Sequence, residues 1–593
     1  MQAVFLHTID DVKHCLKHGL QKDAKLFSTD IVVVYYLKHH YGLECCNLCS
    51  LIDATEYLDI QKYTLQTCTT LLDELDQYLA PELNQRLGVS MRYFKPLYSF
   101  WGALQFALYV LFTRCLSRMQ QQFQWDTILI YDIRLGPFCC PIEDFLSSMF
   151  PEFQYYLINY KNNAPSMKTM ICCIDVDEMC QLLQERNDQT SDRTVLRQHG
   201  VSGVNVLAFE PLDRLQFLVK AGEKNNIYAF NPWNSKTRNE PEFEIDQLVL
   251  PSNESLQTIC LVQTNIKAAL TLLYETIKDN FCTNIVQYLQ IIYDCKRKFE
   301  DIPLQCVYWE EPPSQGVSAL LIEYFMTQQV CKIIGLQSQN TFFLGQVIYP
   351  YASVHVFDRC NYYLTQGTKQ EEMAALYPQI SNTVKIIPPA VLSGFEGAKS
   401  TNFSHKPLVD VAIYLDWTFS FSQTSLIPME AEVQDALLTF LEAQQNKKIH
   451  VVVRDKPSYG FCAMLSKFKL LNNVILIKDA SINDYVMKYA PKVIVMSSLI
   501  PDLGNIVFED ITIVIIKNKP YVFDDSILNV VNKRIFYVDQ LEEAKILLQK
   551  SFNGTLDKIR DNTYGIKFCN QGSLEEQLAD IIDNSNALEV FHE

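Results

Sequence analysis

The chain has 593 residues, 48% of them apolar and 12% aromatic, which exceeds one hydrophobic core and excludes a disordered chain. Its formal net charge of −17 opposes a nucleic-acid partner and leaves room only for a local basic site that meets a charged small molecule. The 19 cysteines, irregularly spaced and including the pairs Cys45-Cys46, Cys139-Cys140 and Cys172-Cys173, read as thiols of a reducing compartment rather than a secreted disulfide framework.

The first 122 residues read as a mainly helical region. A short strand-like start precedes a helix over 10–20, and Thr29-Asp30 can cap a second over 31–40. Apolar residues at helical spacing predict a third helix over 53–79 with a break near Pro81, and a fourth over 93–119. The apolar stretch 97–113 carries Gln105 and falls short of the ~20 residues that span a bilayer. It is expected to be a buried core helix, with a helix lying on a membrane surface as the alternative. The N-terminus shows no signal-peptide pattern, so the expected location is cytoplasmic, with peripheral contact at the inner membrane face left open. Cys46-Asn-Leu-Cys49 is a lone CxxC and reads as part of an apolar cluster before a zinc or redox site.

From residue 123 short β runs alternate with helices. Strands are predicted over 127–132, 153–158, 170–174, 204–209, 227–230, 258–262, 306–309, 330–334, 354–357 and 384–387, with helices over 265–278, 280–299 and 316–328. A polar linker covers 400–407. A second alternating series follows, with strands over 409–415, 450–453, 474–477, 493–496, 511–516 and 535–538. Its helices are placed over 429–445, 461–468, 541–548 and 574–583. The expected fold is α/β: two Rossmann-like domains facing a cleft, at 123–399 and 400–593, behind the helical region 1–122.

Several strand ends carry chemistry. The strand over 493–496 runs into Ser497 and Ser498, small hydroxyls suited to a helix cap or to a phosphate held against backbone N–H groups. The strand over 450–453 runs into Arg454 and Lys456, and 306–309 runs into Glu310 and Glu311. Tyr414, Asp416 and Trp417 stand at another strand end, with Tyr414 read as a core aromatic. Asp175-Val-Asp177 has the form of a metal motif but precedes a predicted helix and reads as its cap. No HExxH, GxSxG or P-loop pattern is present.

Taken in order, the segments from about 306 to 525 resemble two-domain GT-B glycosyltransferases of bacterial surface-carbohydrate and capsule biosynthesis, including the polysialyltransferase group. The resemblance is carried by Val307-Tyr-Trp-Glu-Glu311 with the following 316–324, by Ile333-Ile-Gly-Leu-Gln-Ser-Gln339, by Tyr362-Tyr-Leu-Thr-Gln-Gly367 and Ile386-Ile-Pro-Pro389. It continues in Ala412-Ile-Tyr-Leu-Asp416, Val451-Val-Val-Arg-Asp-Lys-Pro457 and the double serine. Three positions depart from the family pattern: Ser338 and Lys456 stand where relatives carry histidines, and Gln339 where they carry a glycine.

The resemblance implies a nucleotide-sugar glycosyltransferase with a CMP- or UDP-linked donor and a glycan, glycolipid or glycoprotein acceptor. It implies inversion without a catalytic metal or other cofactor. Glu310, then Glu311, is the implied general base; Arg454, Lys456, Ser497 and Ser498 meet the donor phosphate, and Asp502 the ribose. The alternatives are a sugar-nucleotide epimerase, a polyol-phosphate transferase, or a catalytically degenerate GT-B-like scaffold.

Overall fold

The computed structural model describes residues 2–19, 23–29, 31–125, 127–131, 134–138, 140–158, 194–197, 204–209, 225–229, 249–299, 301–310, 316–328, 332–336, 360–365, 385–387, 408–415, 437, 439–441, 443–453, 473–478, 482–496, 511–516, 529–557, 559, 561, 563 and 574–583. Among the described residues there are three sheets of five or more strands, all parallel but for one edge strand, so the α/β class holds.

The first sheet pairs β1 (Gln2–Phe5), β2 (Lys25–Ser28), β3 (Cys45–Asn47) and β4 (Thr127–Tyr131) with β7 (Gln154–Ile158) in the order β3-β2-β1-β4-β7. A small hairpin, β5 (Arg134–Leu135) and β6 (Cys140–Pro141), sits between β4 and β7 in the chain. Helices α1 (Ile9–His18), α2 (Ile31–Tyr41), α3 (Ala54–Leu87), α4 (Phe94–Phe123) and α5 (Ile142–Met149) complete this part. The opening region is thus mainly helical, yet its β1 pairs with β4 from Gln2↔Thr127 to Phe5↔Ile130. The boundary expected after residue 122 therefore cuts through a sheet.

Helix α3 runs through Pro81 without the expected break. Pro81 is solvent-exposed, so the carbonyl that loses its N–H partner can turn to water. Helix α4 is long and apolar enough to cross a membrane, but 83% of its apolar window is buried within the molecule. Its N-terminus has no cap of its own. Instead Asp76 of α3 accepts N–H bonds from Tyr93, Phe94 and Lys95 at 2.7, 2.8 and 2.9 Å. Burial still pushes the Asp76 carboxyl up to about 6, against these three bonds.

The middle sheet contains β8 (Thr194–Arg197), β9 (Asn205–Ala208), β10 (Asn226–Ala229), β11 (Cys306–Glu310), β12 (Lys332–Leu336), β13 (Tyr362–Leu364) and β14 (Lys385–Ile387), in the order β14-β13-β12-β11-β9-β10-β8. Only β8 is antiparallel. The expected strand at 258–262 is a helix, α6 (Gln257–Leu261). Glu74 of α3 accepts the N–H groups of Gln257 and Thr258 at 2.6 and 3.0 Å and so fixes its first turn, a long-range cap that apolar periodicity does not reveal. The two helices expected over 265–299 are one, α7 (Thr264–Phe299), about 54 Å long at 1.5 Å per residue. With α8 (Gly316–Gln328), α7 packs on α4, so the first and middle sheets share one core that includes Phe106, Ile277, Trp309 and Leu320.

The third sheet is built from β15 (Val409–Leu415), β16 (Ile449–Val453), β17 (Val474–Lys478), β18 (Pro491–Met496), β19 (Thr512–Ile516) and β20 (Phe536–Val538). Runs such as Val493-Ile-Val-Met496 and Thr512-Ile-Val-Ile-Ile516 are buried at every position, as parallel strands covered on both faces require. Its order, β17-β16-β15-β18-β19-β20, is the 3-2-1-4-5-6 order of a Rossmann sheet. Helix α9 (Ile482–Tyr489) precedes β18, and α10 (Leu541–Phe552) packs on β19 and β20. The last helix, α11 (Leu574–Asp583), leaves this sheet: Leu578, Ile581 and Ile582 join Val206, Tyr308 and Ile334 in the core of the middle sheet. The division expected at 400–593 thus loses its terminal helix to the domain before it.

Candidate functional site

An open parallel sheet offers its ligand crevice at the carboxyl ends of the two strands where the order reverses. In the third sheet these strands are β15 and β18. Tyr414 lies opposite Met496, and Leu415 opposite Val453, so β15, β16 and β18 end nearly level. At 4.7–4.9 Å per strand, the ends of β16 and β18 stand about 10 Å apart across β15. In the sequence Arg454 follows Val453, Asp416 follows Leu415, and Ser497 follows Met496. Arg454, Lys456, Ser497, Ser498, Asp502, Asp416 and Trp417 themselves lie outside the described residues. Tyr414 is a core aromatic as expected, 1% exposed and edge-on to Tyr485 at 6.3 Å.

The middle sheet reverses between β9 and β11. Glu310 is the last residue of β11, in register with Leu336 of β12, so its backbone stands at the carboxyl edge beside that reversal. Glu311, Gln337, Ser338 and Gln339 lie outside the described residues, as do Asp175 and Asp177. One feature of this edge was not legible in the sequence. Phe209, directly after β9, stacks on Trp309 at 4.6 Å and 17°, and Phe325 of α8 closes on Phe209 at 5.9 Å. The stack lays two apolar rings across the reversal, beside the carboxyl end of β11. Its two rings are a hundred residues apart in the chain, so only the pairing of β9 with β11 brings them together.

The first sheet also reverses, between β1 and β4, but its β1–α1 turn is already filled. Asp11 Oδ2 accepts from the N–H groups of His7 and Thr8 at 3.1 and 2.7 Å, and Thr8 Oγ1 accepts from Asp11 N at 3.1 Å. The donors that an anion needs at this turn are held by the protein's own carboxylate. Nearby, His14 Nδ1 meets the Tyr131 hydroxyl at 3.2 Å, and burial, followed by the adjacent His18, lowers its pKa.

Of the CxxC pair, Cys46 packs against the shared core and burial raises its thiol pKa, while nothing is described of the Cys49 side chain. Among the described residues no three His, Cys, Asp or Glu side chains converge as metal ligands.

No family model matches the chain, and no curated protein matches it. Solved structures with some likeness include the UDP-GlcNAc 2-epimerase of Methanocaldococcus jannaschii in complex with UDP-GlcNAc and UDP, at 12% identity and a TM-score of 0.38 over 64% of this chain and 99% of that one. Os79 from O. sativa in complex with UDP gives 11% identity and 0.37 over 64% and 100%. Medicago truncatula UGT71G1 complexed with UDP-glucose gives 10% and 0.35 over 65% and 98%. Scores this low carry neither the fold nor the activity of those proteins to this chain.

Proposed function

We propose that the protein is a GT-B-like glycosyltransferase, in which the middle and third sheets face one another across a cleft and a sugar passes from a nucleotide-activated donor to a surface glycan, glycolipid or glycoprotein. The observation that carries this reading is the third sheet: six parallel strands in 3-2-1-4-5-6 order, whose reversing strand β18 ends one residue before the double serine. The return of α11 to the middle sheet supports it, because the chain then crosses between the two sheets twice.

In this reading Glu310, with Glu311 as second choice, removes the proton of the acceptor hydroxyl. The freed oxygen attacks the anomeric carbon from the face opposite the nucleotide, and the bond to the phosphate oxygen breaks with its electron pair on the phosphate. Arg454, Lys456 and the hydroxyls of Ser497 and Ser498 meet that charge, and Asp502 holds the ribose. Lys456 is a permanent cation where relatives carry histidine, so it stabilises the leaving phosphate without delivering a proton. The donor is CMP- or UDP-linked, no metal or cofactor takes part, and the setting is cytoplasmic, with peripheral contact at the inner membrane face left open.

Calorimetry with a panel of cytidine and uridine nucleotides, followed by transfer assays with the matching nucleotide sugars, tests the reading. One nucleotide should bind saturably, and the Ser497→Ala/Ser498→Ala variant should lose that binding together with transfer. No nucleotide binding leaves a non-catalytic scaffold. Turnover of free nucleotide sugar without an acceptor identifies an epimerase instead.

A further inference from the structure

Away from the sheet edges, two parts of the chain that are distant in sequence enclose a groove of about 550 Å³, within the ~300–1,000 Å³ of small-molecule sites. One wall is α5 with the β5–β6 hairpin, and the other is one face of α7.

On α7, Asn280 and Asn284 have fixed amides. The buried Tyr98 hydroxyl donates to Asn280 Oδ1 at 2.9 Å, and Asn284 Nδ2 donates to the Asn280 carbonyl at 2.8 Å. These bonds leave Asn280 Nδ2 as a donor and Asn284 Oδ1 as an acceptor, one turn apart on the face that lines the groove. Asp279 beside them and Asp144 on the opposite wall add carboxylates, which only accept, and Phe138 adds an aromatic ring. The hairpin bearing Phe138 is held from beneath, because Gln105 of α4 donates to the Leu135 carbonyl and accepts from Phe138 N.

Sugar hydroxyls both donate and accept, and the C–H face of a pyranose ring is apolar. A groove with a fixed donor and a fixed acceptor on one wall, an aromatic ring on the other and carboxylates on both meets all three demands. The carboxylates also disfavour a ligand bearing phosphate or carboxylate. We propose that this groove is a neutral-carbohydrate subsite, separate from the residues assigned to the nucleotide. The assignment stands whether or not the chain transfers sugars.

The test is a neutral-glycan array on the full chain, followed by saturation-transfer NMR titration of the best hit, with sialyllactose and spermidine as charged probes. A neutral glycan should bind, and Asn284→Ala and Asp144→Ala should each weaken it about tenfold, the worth of one hydrogen bond of 1.4 kcal/mol. Both substitutions should leave the melting temperature and nucleotide affinity unchanged. The subsite is refuted by any of three results: no neutral glycan binds, its binding survives both substitutions, or the charged probes bind at least as tightly. Loss of nucleotide binding elsewhere bears only on the transfer reading.

Discussion

Arg92 grips Glu323 through two bonds, Nε to Oε1 at 2.7 Å and Nη2 to Oε2 at 3.0 Å. Arg92 lies just before α4 and Glu323 within α8, so the pair ties the opening region to the middle sheet. The two ends are not equivalent, since the Glu323 side chain is 2% exposed and the Arg92 side chain 46%. Removing the arginine strands a buried carboxylate, whereas neutralising the glutamate leaves a cation that still reaches water. Arg92→Leu should therefore destabilise by about 3 kcal/mol, at the low end for a broken buried pair because half of Arg92 is solvated, and Glu323→Gln by about 1 kcal/mol. Urea unfolding followed by tryptophan fluorescence checks the order; a larger loss for Glu323→Gln would contradict the asymmetry.

Gln105 is the polar residue that interrupts the apolar stretch of α4, and it is fully buried. Its amide holds the β5–β6 turn from below. Gly136 in that turn has φ +67°, and a Cβ there would lie 2.2 Å from Gln105 Oε1. Gly136→Ala thus combines a left-handed backbone with a clash against a side chain that cannot leave its partners. Its expected cost is about 2–4 kcal/mol. Gln105→Leu should cost about 2 kcal/mol by orphaning one donor and one acceptor. The double variant should lose less than the sum, because the smaller clash partner relieves the first defect, and a thermal-melt double-mutant cycle reads this coupling.

His450 sits in β16 at 1% exposure, edge-on to Tyr485 and Tyr489 at 6.0 and 5.0 Å, and among the described residues neither ring nitrogen has a hydrogen-bond partner. Burial, followed by the charge of Lys448, pushes its pKa down to about 4 from an ordinary 6.5. Between these values the unfolded chain binds the proton and the folded chain does not. Stability of the third sheet is therefore complete above about pH 6.5 and falls as pH drops towards 4, by at most about 3 kcal/mol. Asp76 acts with the opposite sign, its raised carboxyl favouring the folded state as pH falls below about 6, but it belongs to the first part of the chain. Comparing urea midpoints of the native protein and His450→Phe from pH 4 to 8 isolates the histidine. Parallel curves would show that its burial carries no proton linkage.

The third sheet was legible because its central strands are dominated by Val and Ile, as in Val493-Ile-Val-Met496 and Thr512-Ile-Val-Ile-Ile516, near-continuous apolar runs that burial on both faces produces. The strand-like start and the runs at 127–132 and 153–158 are β1, β4 and β7 of the first sheet, but the three-residue β3 and the four-residue β2 hold too few positions to show a period, so composition does not join the opening helices to that sheet. What hid α6 and the continuity of α7 was tertiary: Glu74 caps one, and Tyr98 holds Asn280 midway along the other. At the candidate site, strand ends can be read from composition. Which ends lie beside a reversal follows only from the pairing of β15 with both β16 and β18, a relation between segments some forty to eighty residues apart.

Lys456 and Glu310 separate binding from chemistry in the proposed transfer. If the lysine contributes charge at the donor phosphate, Lys456→Ala should weaken nucleotide affinity about 10- to 100-fold, as expected for losing one charged hydrogen bond, while Lys456→Arg keeps most of it. Equal affinities for all three proteins by calorimetry would remove the lysine from the phosphate. Glu310→Gln keeps the shape and loses the base, so turnover should fall about 10²–10⁴-fold with donor affinity nearly intact. A fall shared equally by affinity and rate would place Glu310 in donor binding, and an unchanged rate would move the base to Glu311, where the same substitution repeats the test.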